Sequence, residues 1–211
     1  MNTHHLVIRL GILASWLAVG ILVAMMAVAL AIGPELSNLT SASPKLVAEL
    51  LANSAGKLQG MMVLDDLFAL AYMIAFIGLA AHVRNRSGLL AGLGLGFALA
   101  TGILDWIENS MTLNLIAFRL LEPTTLFALN LLTQIKYLTS SGAIVLLGLG
   151  LWNEHDLNRV ATILFLLYAP INVLAFIAPL FVTLRILSMF VLLILGAIIL
   201  SRPNNLIKPA K

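Results

Sequence analysis

The chain contains no cysteine and only four histidines in 211 residues. The absence of cysteine excludes disulfides, thiolate nucleophiles and cysteine-ligated zinc or iron–sulfur centres. The histidines do not fall on facing segments at one depth, so paired-histidine haem ligation is not expected. We therefore predict no cofactor and no metal, and a cation site built only of oxygen ligands stays open as an alternative.

Charged residues are also scarce, at 10% of the chain, whereas a soluble domain has about 25%. Hydrophobic residues make up 61% of the sequence, and the mean hydropathy is +1.06. This composition predicts an integral membrane protein whose main partner is the lipid bilayer. The 12 basic residues are spread over many short loops, a distribution typical of membrane topology signals and not of nucleic-acid binding.

Long apolar runs dominate what remains, and a membrane-spanning helix needs about 20 such residues. Six segments meet this length, namely residues 10–32, 61–83, 89–111, 125–152, 160–178 and 181–201. The last two form one stretch that is too long for one span, and Pro179 favours a reversal between them. The sequence thus predicts an all-α fold, a multi-pass bundle of six transmembrane helices in one domain over residues 1–211.

Two segments do not fit this simple pattern. Ser43 and Pro44 form a helix-start signal, and the apolar residues that follow share one face. Residues 44–57 are therefore predicted to form a short interfacial helix between the first and second spans. Residues 112–121 are apolar too, and they either lengthen the third helix or turn to lie in the membrane interface.

The distribution of lysine and arginine predicts the orientation of the chain. If both termini are cytoplasmic, seven basic residues lie on that side and four on the other. The cytoplasmic set is Arg9, Arg84, Arg86, Arg159, Arg202, Lys208 and Lys211, and the outer set is Lys45, Lys57, Arg119 and Arg185. We therefore expect a protein of the cell membrane with both termini in the cytoplasm.

Glycines in the third segment have a regular spacing that indicates helix packing. Gly92, Gly96 and Ala100 recur at every fourth residue and so lie on one helical face. Small residues at this spacing let membrane helices approach closely. No strand precedes these glycines, so a nucleotide-binding loop is not indicated.

Lys136 is the most informative single residue, because it lies in the middle of the apolar segment Pro123–Leu151. A lysine at the centre of a membrane costs about 2.5–3.5 kcal/mol and needs a partner or water. Candidate partners are carboxylates within or at the ends of other apolar segments. They are Asp65, Asp66, Asp105 and Glu108.

Helical periodicity groups further polar residues around this lysine. Thr101, Asp105, Glu108, Asn109 and Thr112 form one stripe on the third helix. The fourth helix presents a broad polar arc. On the second helix, Asp65 and Tyr72 are seven positions apart and share a face, and on the fifth helix Tyr168 and Asn172 are four positions apart. The predicted pocket comprises Asp65, Asp66, Tyr72, Asp105, Glu108, Asn109, Asn130, Gln134, Lys136, Tyr137, Tyr168 and Asn172.

Three functions are compatible with a buried charged pocket in the outer half of the bilayer. The first is binding or transport of a small solute, cation or proton, because so many costly groups are rarely used for packing alone. The second is an accessory or assembly role, with other membrane subunits or a homo-oligomer as partner, in which an ion pair of Lys136 with Asp105 or Asp65 locks the helices. The third is a lipid-modifying enzyme using Asp105 and Glu108 as acid and base. No catalytic residue is assigned, and enzyme function is not favoured.

Overall fold

The computed structural model describes residues 3–40, 43–119, 121–152 and 156–202. Within these residues the chain forms six α-helices and one 3₁₀ helix, Pro34–Thr40. The α-helices are α1 (Thr3–Ile32), α2 (Pro44–Arg84), α3 (Gly88–Phe118), α4 (Pro123–Leu151), α5 (Asp156–Leu174) and α6 (Pro179–Leu200). Lys208 and Lys211, two of the basic residues used to predict the orientation, lie outside the described residues.

The structure confirms the prediction of an all-helical chain with six helices that are long and apolar enough to span a membrane. Each predicted segment coincides with one helix, with ends that differ by a few residues except at α1, α2 and α3. The reversal between the last two helices also lies where Pro179 predicts it, because α5 ends at Leu174 and α6 begins at Pro179.

The separate interfacial helix is not confirmed, since residues 44–57 are the N-terminal part of α2. This helix has 41 residues and at 1.5 Å per residue is about 60 Å long. Gly56 and Gly60 do not interrupt it, because a glycine costs a helix only about 1 kcal/mol. Packing offsets that cost: residues from the first turns of α2 join a buried cluster. Its members are Ile32, Val47, Leu50, Leu51, Leu58, Leu115, Ile116 and Leu126.

The same cluster explains the second ambiguous segment. α3 continues to Phe118, so most of residues 112–121 lengthen this helix. Leu115 and Ile116 in its last turns are almost fully buried. Arg119 then ends the helix with a left-handed backbone conformation, φ 54°, which breaks the helical hydrogen-bond pattern.

The helices form a closed ring. Each helix contacts the next one along the chain, and α6 returns to contact α1. In addition to its neighbours α1 and α3, α2 contacts α4 and α6. A second apolar cluster closes the end opposite to the first. It includes Ile8, Leu79, Val83, Ala91, Leu147, Leu151, Phe165, Ile199 and Leu200. Asp105, Glu108 and Lys136 lie between the two apolar clusters.

A close backbone contact between two helices is made by glycines that the spacing analysis did not identify. A Cβ atom at Gly11 of α1 would lie 2.8 Å from the Cα of Gly78 in α2, and the reverse distance is 2.7 Å. A Cβ at Gly92 or Gly96, in contrast, would meet no described atom within 4 Å. The predicted packing face at Gly92, Gly96 and Ala100 is therefore wrong for contacts within this chain.

We expect Gly78→Leu to lower the free energy of unfolding by about 1–3 kcal/mol, because the added side chain must push α1 and α2 apart. Thermal unfolding of the purified protein, followed by circular dichroism, measures the change. Gly92→Leu is the matched control, since its side chain enters open space. Equal melting temperatures for the two variants would contradict the close contact of α1 and α2.

Candidate functional site

A cavity of about 300 Å³ lies inside the ring and is lined by residues from all six helices. This volume is at the lower end of the range found for small-molecule sites. One wall is polar: every residue that α3 contributes belongs to the stripe predicted from the sequence. These residues are Thr101, Asp105, Glu108, Asn109 and Thr112.

The opposite wall of the cavity is apolar. α6 contributes Ile186, Met189, Leu192, Leu193, Gly196 and Leu200, and α1 contributes Leu22, Met25, Met26, Ala29 and one polar residue, Ser15. The hydroxyl of Ser15 is bonded to the carbonyl of Gly11 in its own helix, at 2.8 Å. An occupant of the cavity would therefore meet charged groups on one side and hydrocarbon on the other.

Lys136 connects α4 to the polar wall. Its Nζ lies 2.7 Å from Oδ1 of Asp105 and also forms an ion pair with Oε2 of Glu108. The two acidic residues are three positions apart on α3 and therefore share a face. Lys136 itself is only 8% exposed, so both ion pairs lie in the protein interior.

Each carboxylate of this pair also accepts a hydrogen bond through its other oxygen. The hydroxyl of Tyr72 in α2 donates to Oδ2 of Asp105. The hydroxyl of Thr133 in α4 donates to Oε1 of Glu108, at 2.6 Å. Buried ion pairs offset their desolvation cost only when the remaining lone pairs are satisfied in this way. The four side chains and Lys136 thus form one connected network between α2, α3 and α4.

Asp65 is the third carboxylate of the cavity, and it differs from the other two. It lines the cavity in α2 and is partly exposed. It interacts electrostatically with Lys136 and Asp105 and accepts a hydrogen bond from the side chain of Asn109 in α3, but it forms no ion pair within the described part of the chain. Three carboxylates therefore face one lysine in the cavity lining, a formal excess of two negative charges when all four groups are ionised.

Four residues of the predicted pocket do not line the cavity. Asp66 turns aside to accept a hydrogen bond from Asn109 Nδ2, at 2.9 Å. Gln134 donates to Asn130 at 3.1 Å on an exposed face of α4. Asn172 donates to the carbonyl of Tyr137 and to the hydroxyl of Ser141, at 2.6 and 2.7 Å.

The other eight residues of the predicted pocket are brought together around the cavity. They are Asp65, Tyr72, Asp105, Glu108, Asn109, Lys136, Tyr137 and Tyr168. Tyr168 is fully buried. The nearby Ser140 hydroxyl, which also lines the cavity, interacts with the hydroxyl of Tyr168, so two hydroxyls lie side by side in the lining.

Arg185 lies beside the site, against the cavity-lining Tyr137, and was missed by the sequence analysis, which counted it among the basic residues outside the membrane. It lies in the second turn of α6 and is only 9% exposed. Its guanidinium carbon is 3.5 Å from the centroid of the Tyr137 ring, and Lys136 Nζ is 5.2 Å from the same centroid. The signal that identifies Lys136, one cation in an apolar helix, could have identified Arg185 as well.

The described acidic residues are not arranged as a cluster of metal ligands. Within the described ranges, no three His, Cys, Asp or Glu side chains come together in a way that could hold a metal ion. The oxygen atoms of Asp105 and Glu108 already bind Lys136 and two hydroxyls. The chain itself therefore supplies the partners of these two carboxylates.

Comparison of the chain with known protein families, with curated proteins and with solved structures finds no match. The function therefore has to be argued from the cavity and its side chains.

Lys136→Met is expected to lower the free energy of unfolding by about 3–5 kcal/mol, because it leaves two buried carboxylates without a cation. The triple variant Lys136→Met, Asp105→Asn, Glu108→Gln removes all three charges and should recover most of this loss. Denaturant unfolding of the single and the triple variant measures both changes in the free energy of unfolding. Lys45→Met is the control, since Lys45 is exposed. A triple variant as unstable as the single one would contradict the charge balance described here.

The contact of Arg185 with Tyr137 should contribute about 1–2 kcal/mol, the value for a desolvated cation–π pair. A double-mutant cycle of Arg185→Met and Tyr137→Leu, read from unfolding free energies, isolates this coupling. In the same cycle, Tyr137→Phe keeps the aromatic face that Arg185 contacts. The coupling energy measured with this variant should therefore be much smaller. Additive effects of Arg185→Met and Tyr137→Leu would show that the two side chains do not interact.

Proposed function

We propose that this chain is a multi-pass membrane protein that binds or transports a small solute, cation or proton in its central cavity. It acts as one domain in a cell membrane, with both termini in the cytoplasm. The six apolar helices support insertion into a bilayer. The count of basic residues supports the orientation.

The observation that carries this proposal is the open space beside the charged network. Protein interiors are closely packed and contain few voids larger than a water molecule. If the ion pairs served only to hold α3 against α4, we would expect the surrounding side chains to fill the space. Instead, Asp105, Glu108 and Lys136 all face a cavity of about 300 Å³, where a ligand can reach them.

The charges of the cavity support a role in binding for the same reason. Each ionised group inside a membrane protein is costly, and one ion pair would be enough to lock two helices. The cavity lining has Asp65 as an additional carboxylate, and it forms no ion pair in the described ranges. Its hydrogen-bond partner Asn109 is a neutral amide, so a positively charged ligand would supply the counter-charge that Asp65 lacks.

Native mass spectrometry of the tagged protein, gently extracted from its own membrane, tests the proposal. We expect a monomer or homo-oligomer that retains an additional small mass. Gly196→Leu should lose this mass, because Gly196 lines the cavity and a Cβ there would meet no described atom within 4 Å. The leucine side chain can therefore fill the cavity without moving the backbone.

Gly92→Leu is the matched control, since Gly92 is exposed on α3 and does not line the cavity. It should retain the mass found with the wild-type protein. A protein that always occurs with a second subunit at fixed stoichiometry, and without a small ligand, would contradict the proposal. That result would favour an accessory role in which the charge network is structural.

A further inference from the structure

We infer that the cavity binds a lipophilic primary amine, and that Asp65 is the carboxylate that receives its ammonium group. This inference rests on the proposed function and names the class of its ligand. It follows from the charge of the cavity, the occupancy of each carboxylate, and the chemistry of the wall opposite to them.

The charge of the lining indicates a cationic ligand. Lys136 is the only basic residue in the lining contributed by the described residues, and it is already bound to Asp105 and Glu108. An anionic ligand would therefore approach three carboxylates and find no available cation. Like charges at short range in a low dielectric repel strongly. An ammonium group, in contrast, reduces the negative excess.

Asp65 is the carboxylate best placed to receive that group. Both oxygens of Asp105 are in use, one with Lys136 and one with Tyr72. Both oxygens of Glu108 are in use as well, with Lys136 and Thr133. Asp65 lines the same cavity with a neutral hydrogen-bond partner, Asn109, and without an ion pair in the described ranges. A new ammonium can therefore bind Asp65 without breaking the network.

A second polar atom in the lining supports a ligand with hydrogen-bonding groups. The hydroxyl of Tyr168 is buried and lines the cavity. The hydroxyl of Ser140 lies beside it and also lines the cavity. A hydroxyl can donate one hydrogen bond and accept others, so a polar head group would find partners at this pair.

The opposite wall indicates that the rest of the ligand is apolar. Every lining residue from α6 is apolar, from Ile186 to Leu200. The lining residues of α2 run from Met61 to Leu79, which is about 27 Å along the helix axis. A cavity of about 300 Å³ that extends over this length is an elongated slot. An ammonium group on an alkyl chain fits its charge, its apolar wall and its shape.

Binding of labelled decylamine to the full chain in lipid nanodiscs tests the inference, with empty nanodiscs as the blank. We expect saturable binding to the wild-type protein. Decanol and decanoate have similar chains without a positive charge, and each should compete at least about tenfold less well, because a hydrogen bond to a charged group is worth about 1.5–3 kcal/mol. This comparison needs no variant, so it holds even if a substitution disturbs folding.

The adjacent aspartates provide a matched pair of variants. Asp65→Asn should weaken decylamine binding about tenfold or more. Asp66→Asn should have a much smaller effect, because Asp66 does not line the cavity and reaches it only through its hydrogen bond with Asn109. Circular dichroism of both variants verifies their folding. Equal binding by wild type and a folded Asp65→Asn protein would overturn the assignment of Asp65.

The length of the ligand's alkyl chain provides a test of the apolar wall. Gly196→Leu narrows the cavity at α6, so it should weaken binding of decylamine much more than binding of butylamine. Gly92→Leu should affect neither amine. An equal effect of Gly196→Leu on both amines would overturn the placement of the alkyl chain along α6.

The two proposals fail in different ways. If decylamine does not bind, or if decanoate competes equally well, the ligand is not an amine. A small mass that native mass spectrometry finds in the wild type, and not in Gly196→Leu, would then still support solute binding. If neither method finds an occupant of the cavity, both proposals are wrong.

Discussion

The bridge that Lys136 makes to Asp105 and Glu108 is the interaction on which the rest of the site depends. A buried charge is tolerated only when its partners are fixed at short range and their remaining atoms are satisfied. Tyr72 and Thr133 meet this condition, because each donates to the carboxylate oxygen that Lys136 does not bind. The bridge therefore fixes α3 and α4 relative to each other and holds α2 against them.

This concentration of polar groups on three helices explains why the cavity has two unlike walls. The contributions of α1 and α6 to the lining are apolar apart from Ser15, whose hydroxyl bonds to its own helix. Contacts between glycines bring α1 onto α2 near one end, and apolar clusters close both ends of the ring. Between these ends, charged side chains that are bonded to one another face Leu and Met side chains, and the space between them is not filled.

Much of this arrangement could be predicted from the sequence, and the failures have physical causes. The length of the apolar runs predicts the six helices, and the spacing of polar residues predicts the wall that α3 provides. Only part of the polar arc of α4 faces the cavity. Lys136 lines the cavity, whereas Gln134 donates a hydrogen bond to Asn130 on an exposed face of the helix. The continuity of α2 depends on packing against Leu115 and Leu126, which are distant in sequence.

Arg185 shows why the balance of charge depends on position as well as on composition. If this arginine approached Asp105 or Glu108, it would reduce the negative excess of the cavity. Its guanidinium instead lies on the face of Tyr137, where an aromatic ring replaces a carboxylate as partner. Asn172 holds the backbone of Tyr137 in place from α5. The second buried cation is thereby held on a neutral ring, and the carboxylate excess that would attract a positively charged ligand is preserved.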